Sequence, residues 1–454
     1  MAKAPALTME TLVSLAKRRG FVFQTSEIYG GLAGFYDFGP YGAELAKNIR
    51  DAWWRAFVYA QTNTIGLDTA IIQNPKLWQA SGHVDTFVDP LVDCRNCQHR
   101  FRADHLVDFE TNDLTKYDEA LGKVKCPNCA KIGQWTPARR FNMMFKTYVG
   151  PVSDDSSVAY LRPETAGGIF AQFTNVLETS RQKLPFGIAQ IGKAFRNEIT
   201  PGDFIFRVRE LEQMELEYFT TPDQAEAEYA RWKQFCYEWL IQLGLQSDKL
   251  RYYEHAEGER AHYAAASVDI QYEYPMGFRE LYGIANRTDY DLTVQGKGSG
   301  KDLSYFDEAT KSRFVPYVIE PSVGVGRLFL ALMHSAYHEE EVKGETRIVL
   351  RFRAEIAPVK VAVLPLSKNE KLSPLAKEVF ASLAGKWRTE YDETQSIGRR
   401  YRRQDEIGTP LCITVDFDSL DDQAVTIRHR DTMAQERVAI AELSATVERM
   451  LASF

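Results

Sequence analysis

Apolar and polar residues alternate with two different periods along this chain, and the places where the period changes mark its elements. Gly192, Ala194, Arg196 and Glu198 fall on one face at period two while Ile191 and Phe195 fall on the other, which predicts a strand. After a Pro201-Gly202 turn and the segment Phe206-Arg207-Val208-Arg209-Glu210, a second strand is predicted. Its Leu211, Gln213, Glu215 and Glu217 share one face and its Met214, Leu216 and Tyr218 the other. The pattern then turns helical: Tyr229, Trp232, Phe235, Cys236, Trp239 and Leu243 share one helix face, with Thr221-Pro222-Asp223-Gln224 read as its start and Gly244 as its stop. Charged sequence around Glu339 to Glu345 reads as a strand-poor exit from this unit. Beyond it, Val359 to Leu364 reads as a buried strand, Ser373-Pro374 as a helix start and Leu411 to Val415 as another strand. That alternation predicts a small α/β domain. There is no internal repeat and no low-complexity tract.

At 454 residues the chain exceeds one ordinary domain, and 44% apolar residues suffice for well-packed cores. No apolar run approaches the roughly 18 residues of a membrane span, and the N-terminus, with Lys17, Arg18 and Arg19 after a short mixed helix, lacks a secretory pattern. The expectation is a soluble cytoplasmic enzyme with no membrane partner. A net charge of -7 excludes a globally basic nucleic-acid binder, and no DNA partner is expected. RNA contact would need a local patch such as Arg399, Arg400, Arg402 and Arg403 around Tyr401, although the same residues also read as a solvated helix paired with Asp405 and Glu406.

Four of the six cysteines form two pairs, Cys94-x-x-Cys97 and Cys126-Pro127-Asn128-Cys129. Two turns that each present two thiols can close a tetrahedral zinc site with no open position for water, the alternative being reduced free thiols. The 28 residues between Cys97 and Cys126 leave space for a hairpin-like Arg100-Phe101-Arg102 segment. Cys236, on the apolar helix face, reads as a buried thiol.

The charged face of the first strand pair carries the candidate chemistry. An arginine at 196 can fork two donors onto a phosphate, and a carboxylate two residues on can accept from an exocyclic amine such as that of adenine. A solvated hairpin is the plainer reading. Gln213, Glu215 and Glu217 crowded beside Arg196 and Arg209 argue against it.

Phe195-Arg196-Asn197-Glu198, a loop, and Arg207 before Leu211 resemble the second motif of class II aminoacyl-tRNA synthetases. Glu320-Pro321-Ser322-Val323-Gly324-Val325-Gly326-Arg327, leading into Leu328-Phe329-Leu330-Ala331-Leu332, resembles the third, and the Pro75 region is placed like the first. Longer strings resemble the homodimeric type of glycyl-tRNA synthetase across nearly the whole chain. They are Ser26 to Gly31, Gly34 to Pro40, Ser81-Gly82-His83, Arg162 to Ala166, Gly283 to Leu292 and Glu320 to Ser322. The resemblance implies an α+β catalytic domain with a mainly antiparallel sheet over residues 1–345, a zinc-bearing insertion at 91–140 and a C-terminal α/β anticodon-binding domain at 355–454. It implies glycine, ATP and tRNA(Gly) as partners, a glycyl-adenylate intermediate, Mg2+ with the ATP, structural Zn2+ and a homodimer through the Pro75 region.

Site residues follow from the same resemblance. ATP would meet Arg196, Asn197 and Glu198, then Phe206, Arg207, Val208, Arg209, Glu210 and Leu211, then Glu280, Leu281, Gly324, Val325, Gly326 and Arg327. Arg196 would face the α-phosphate, Glu198 the adenine amine, Arg207 the γ-phosphate and Arg327 the adenine ring, with Arg196 and Arg327 catalytic. Glu280 is a candidate Mg2+ ligand, a structural ion pair being the alternative. Glycine would meet Arg102, Glu164, Leu211, Glu212, Gln213, Met214, Glu215, Glu320, Pro321, Ser322, Val323 and Gly324. Glu164, Glu215 and Glu320, with Ser322, are expected to converge on its ammonium group, unless they only pair with Arg162, Arg209 or Arg287. Three positions depart from the family: Leu211 stands for an aromatic, Gly167 for glutamine and Gln295 for histidine. A class II enzyme for serine or proline, or a silent RNA-binding paralogue, are the other readings.

Overall fold

The computed structural model describes residues 7–107, 109, 111, 113–256, 258 and 264–454. Its largest sheet has seven strands: β1 (Thr64–Gly66), β2 (Phe186–Phe195), β3 (Glu210–Thr220), β4 (Leu250–Glu254), β5 (Ala266–Tyr274), β6 (Gly277–Thr288) and β7 (Tyr317–Gly324). Their order is β4-β5-β6-β7-β3-β2-β1, and every pairing is antiparallel except β1 with β2. The predicted faces of β3 are present. Met214, Leu216 and Tyr218 are buried in the main core, while Gln213, Glu215 and Glu217 are buried on the opposite side.

The core on the apolar side is aromatic. Helices α1 (Pro40–Trp54), α3 (Ala225–Gln242) and α4 (Val325–Ala336) cover it, and α2 (Ala166–Ser180) lies among the apolar residues of the other face. Phe57 stacks on Trp53 at 4.8 Å between ring centroids and meets Trp232, Phe235, Trp239 and Tyr282 around its remaining sides. Each such buried side chain contributes about 1.5–3 kcal/mol of burial, so β3 is held rigidly on this face. Cys236 lies within this core with no exposure. Helix α3 begins at Ala225 rather than at Thr221, because Gln224 N–H bonds Thr221 O at 3.1 Å and closes a turn first.

Residues 88–142 hold a three-stranded sheet in which Val88–Asp93 lies between Arg100–Arg102 and Arg139–Asn142. Glu339 to Glu345 does not form a strand-poor exit. Tyr337–Val342 and Glu345–Leu350 pair as an antiparallel hairpin, with Glu340 opposite Arg347. The charges misled the reading, because they pair with one another: Arg347 is fully buried and bonds Glu340, Asp405 (Nε–Oδ2 2.8 Å) and the carbonyl of Arg430.

The C-terminal sheet holds β8 (Val361–Pro365), β9 (Thr389–Tyr391), β10 (Leu411–Val415), β11 (Ala424–His429) and β12 (Gln435–Ala439) in the order β9-β8-β10-β11-β12. The first three are parallel and the last two antiparallel. Helix α5 (Leu372–Ala384) joins β8 to β9, and α6 (Ile397–Ile407) joins β9 to β10. The arginines of α6 are neither a uniform patch nor a solvated face. Arg400 is fully buried and donates to the carbonyls of Pro365, Asp392 and Leu366, so it pins strand ends, while Arg399 alone of the four is exposed.

Candidate active site

Strand register sets the floor of a cavity of about 560 Å³. Gln213 lies opposite Gly192 and Gly324, and Glu215 lies opposite Gln190 and Ser322. Gly283 continues that row from β6. Gly192 is needed here: a Cβ on it would stand 2.2 Å from Arg162 Nη2. The space lets Arg162 cross the strand and donate to Lys193 O at 2.6 Å and Thr69 O at 2.8 Å.

One end of the cavity is acidic. Glu164, Glu215, Glu320, Ser322 and Arg287 line it. Glu215 accepts from Thr165 N at 3.0 Å, Ala166 N at 3.1 Å, the Thr165 hydroxyl, Ser322 Oγ at 2.8 Å and Gln213 Nε2 at 2.8 Å. The backbone donors open helix α2, whose N-terminus favours a carboxylate. Five donors occupy its lone pairs, so Glu215 aims Ser322 and Gln213 instead of contacting a ligand itself. Glu320 accepts from Arg287 Nη1 at 2.9 Å, and Arg287 forks onto Asp291 at 2.7 and 2.8 Å. Glu320 is thus paired with Arg287 while lining the cavity, whereas Arg162 and Arg209 spend their donors mainly on backbone carbonyls. Burial pushes the Glu320 carboxyl up to about 8; Arg287 opposes this, and Glu215 and Glu164 add to it. Burial also acts upward on Glu164, but His83, Arg287 and Arg196 outweigh it and hold that group at about 2.

Arginines mark the other end. Arg196, Arg207 and Arg327 line it, with Glu198, Phe206, Val208, Glu210, Leu211, Glu280, Leu281, Val325 and Gly326. Arg327 lies over the Phe206 ring at 4.4 Å and pairs with Glu280 at 2.9 Å. Phe206 therefore supplies an aromatic surface beside the aliphatic Leu211. Arg196 Nε is held by Pro163 O at 3.0 Å. Glu198 Oε2 is buried without a hydrogen-bond partner among the described residues, an acceptor left open for a donor.

Several expected site residues stand apart. Met214 and Val323 face the core, and Pro321 and Asn197 do not line the cavity. Arg209 donates to Glu198 O and Ala33 O, and so shapes the loop. Arg102 lies in the insertion, where it pairs with Asp89 at 2.8 Å and with Asp104 at 2.5 Å. Glu212 lines the cavity while paired to Arg50 at 2.7 Å. Tyr36, Lys193, Asp269 and Arg287 also line it and were missed as ligand-facing residues. Only Arg287 carried a signal, its i,i+4 spacing to Asp291. Of the departures, Gln295 bonds Leu77 O at 3.1 Å, and a Cβ at Gly167 would stand 2.9 Å from Trp78.

In the insertion the sulfurs of Cys94, Cys97, Cys126 and Cys129 all lie within 4.8 Å of one another, with Cys94–Cys129 at 3.6 Å and Cys97–Cys126 at 3.8 Å. Four thiolates about 2.3 Å from one tetrahedral zinc would stand about 3.8 Å apart, so the cluster fits that ion.

Residues 145–336 match the tRNA synthetase class II core domain (G, H, P, S and T), and residues 360–450 match the anticodon binding domain. A solved prolyl-tRNA synthetase from Cryptosporidium parvum, complexed with L-proline and AMP, shares the fold at a TM-score of 0.65 and 13% identity, over 98% of this chain and 75% of that one. Fold and domain content define a class II aminoacyl-tRNA synthetase. Glycine–tRNA ligase of Thermobifida fusca is 52% identical over 99% of this chain and 99% of its own. Those of Caldanaerobacter subterraneus and Clostridium acetobutylicum are each 52% identical over 98% of this chain and 99% of theirs. The chain belongs to the glycine–tRNA ligase family.

Proposed function

We infer that this chain couples ATP cleavage to attachment of glycine to tRNA(Gly) through glycyl-adenylate, and that the cavity on β3 and β7 is where the adenylate forms. The observation that carries the assignment is a single cavity with arginines at one end and carboxylates at the other. Glu164, Glu320 and Ser322 hold the glycine ammonium, with Glu215 fixing Ser322. The glycine carboxylate then faces Arg196, which stabilises the charge that gathers on the α-phosphate as the new C–O–P bond forms and pyrophosphate leaves. Glu198 accepts from the adenine amine, Arg207 takes the γ-phosphate, and Arg327 with Phe206 and Leu211 holds the ring. Mg2+ carried with ATP would be held by Glu280 and would neutralise the phosphate oxygens. Glu280 lines the same cavity as Arg196 and Arg207, which supports that role, and it also pairs with Arg327. The terminal adenosine of tRNA then takes the glycyl group and AMP is released.

The catalytic unit is assigned to 1–345, the insertion to 91–140 and the anticodon-binding unit to 355–454. Zn2+ on Cys94, Cys97, Cys126 and Cys129 is structural, since four thiolates leave no position for water. A homodimer through the Pro75 region would cover Ile71, Ile72 and Tyr59, which are exposed apolar side chains in this chain. No described helix is long and apolar enough to cross a membrane, and the cytoplasm is the assigned compartment. Amino-acid-dependent exchange of pyrophosphate into ATP, run without tRNA over all amino acids, tests the reading. Glycine alone should support it; exchange with serine or proline and none with glycine would overturn it.

A further inference from the structure

Ser81 and His83 stand behind the acidic end of the cavity and touch no substrate in the reading above. Ser81 Oγ lies 2.8 Å from His83 Nδ1, and the Trp78 carbonyl, at 3.4 Å, is the more distant of the two acceptors its hydroxyl can reach. The imidazole meets Trp78 and Phe87 edge-on, with centroids at 5.4 and 5.6 Å. Asn142 Nδ2 fixes the backbone beneath it, donating to His83 O at 3.2 Å and Val84 O at 2.7 Å. Ring and backbone are thereby locked, and His83 Nε2 points at Glu164, 3.5 Å from Oε2.

The three pocket carboxylates differ in what anchors them. Glu215 has five donors and Glu320 has Arg287. Among the described residues, His83 is the only group that forms a hydrogen bond or ion pair with Glu164. Arg287 and Arg196 act on it only from farther away. A carboxylate with so few partners is free to swing unless that one contact aims it.

We propose that His83 is a positioning residue for glycine selection: with Ser81 Oγ–H donating to Nδ1, the imidazole carries its proton on Nε2 and holds Glu164 as an acceptor turned toward the ammonium group. Serine sets the tautomer, histidine sets the carboxylate, and the carboxylate meets glycine. The idea rests on Glu164 being an ammonium ligand, so the test includes that residue.

In glycine-dependent exchange, His83→Ala should raise the KM for glycine about tenfold, the effect of losing one hydrogen bond to a charged group, and leave the KM for ATP unchanged. His83→Gln, whose amide nitrogen can replace Nε2 as donor, should recover most of the loss. Where the alanine variant fails to fold, Ser81→Ala keeps the ring, removes the tautomer lock and should move the glycine KM in the same direction. Glu164→Ala is run alongside. If it raises the glycine KM while the His83 and Ser81 variants leave it unchanged, the inference is overturned. If Glu164→Ala itself leaves the glycine KM unchanged, the assignment of Glu164 fails and His83 falls with it.

Discussion

Replacing Glu320 with alanine separates a carboxylate that selects glycine from one that only braces the sheet. The fold should survive. Arg287 keeps its two bonds to Asp291, at 2.7 and 2.8 Å, so its buried guanidinium stays paired after the Glu320 contact at 2.9 Å is gone. The loss falls on the ligand, for which a hydrogen bond to a charged group is worth about 1.5–3 kcal/mol, or about 10- to 150-fold in kcat/KM for glycine. The vacated carboxyl also leaves space beside the α-carbon, and a methyl gained or refused there is worth about 1–3 kcal/mol. Alanine should therefore gain relative to glycine by about 5- to 150-fold. The assay is pyrophosphate exchange with each amino acid over a concentration series. Unchanged kcat/KM for glycine, or a loss for glycine with no narrowing of its margin over alanine, refutes the reasoning.

Three further outcomes follow from the same geometry. Glu320 has a folded pKa of about 8, above its unfolded value of 4.5, so its contribution to stability is fully present below pH 4.5 and is lost as pH rises through about 8. Glycine binding, which exchanges that proton for an ammonium group, should tighten over the upper part of this range; a glycine KM flat between pH 6.5 and 8 would mean the empty site is already ionised. Arg196→Ala should lower exchange turnover by about 3 kcal/mol or more, read from kcat at saturating ATP and glycine, because it removes a cation from the reacting phosphate. Metal analysis should find about one zinc per chain, and Cys126→Ser should lower zinc content and aminoacylation more than exchange.

Much of this was legible in the sequence because period-two strands expose their chemistry. Gln213 and Glu215 declared themselves as a crowded polar face, and β3 carries that face as expected, whereas Arg196 and Glu198 follow the end of β2 at Phe195 instead of continuing its period. Asp269 and Tyr36 did not, since they come from distant segments that meet only in the folded chain, and Lys193, although on β2 itself, sits between Gly192 and Ala194 and so falls outside the face that the period-two reading singled out. The saturation of Glu215 was equally hidden, because its donors open a helix fifty residues earlier. Charge was the least reliable guide. Glu339 to Glu345 read as loop because seven residues held four acids, yet Glu340 found Arg347 across the hairpin. Arg400 read as surface, yet a guanidinium can be buried wherever strand ends offer it carbonyls.

The buried Arg347 has a mechanical meaning. It rises from a hairpin packed on the catalytic core and ends on Asp405 and the Arg430 carbonyl of the C-terminal unit, where Arg428 bonds the same aspartate at 2.9 and 3.1 Å. Such a joint behaves as a strut, since loss of Asp405 would take from Arg347 and Arg428 the buried carboxylate they share. The two ends of the enzyme are thus held at a set span like the jaws of a gauge.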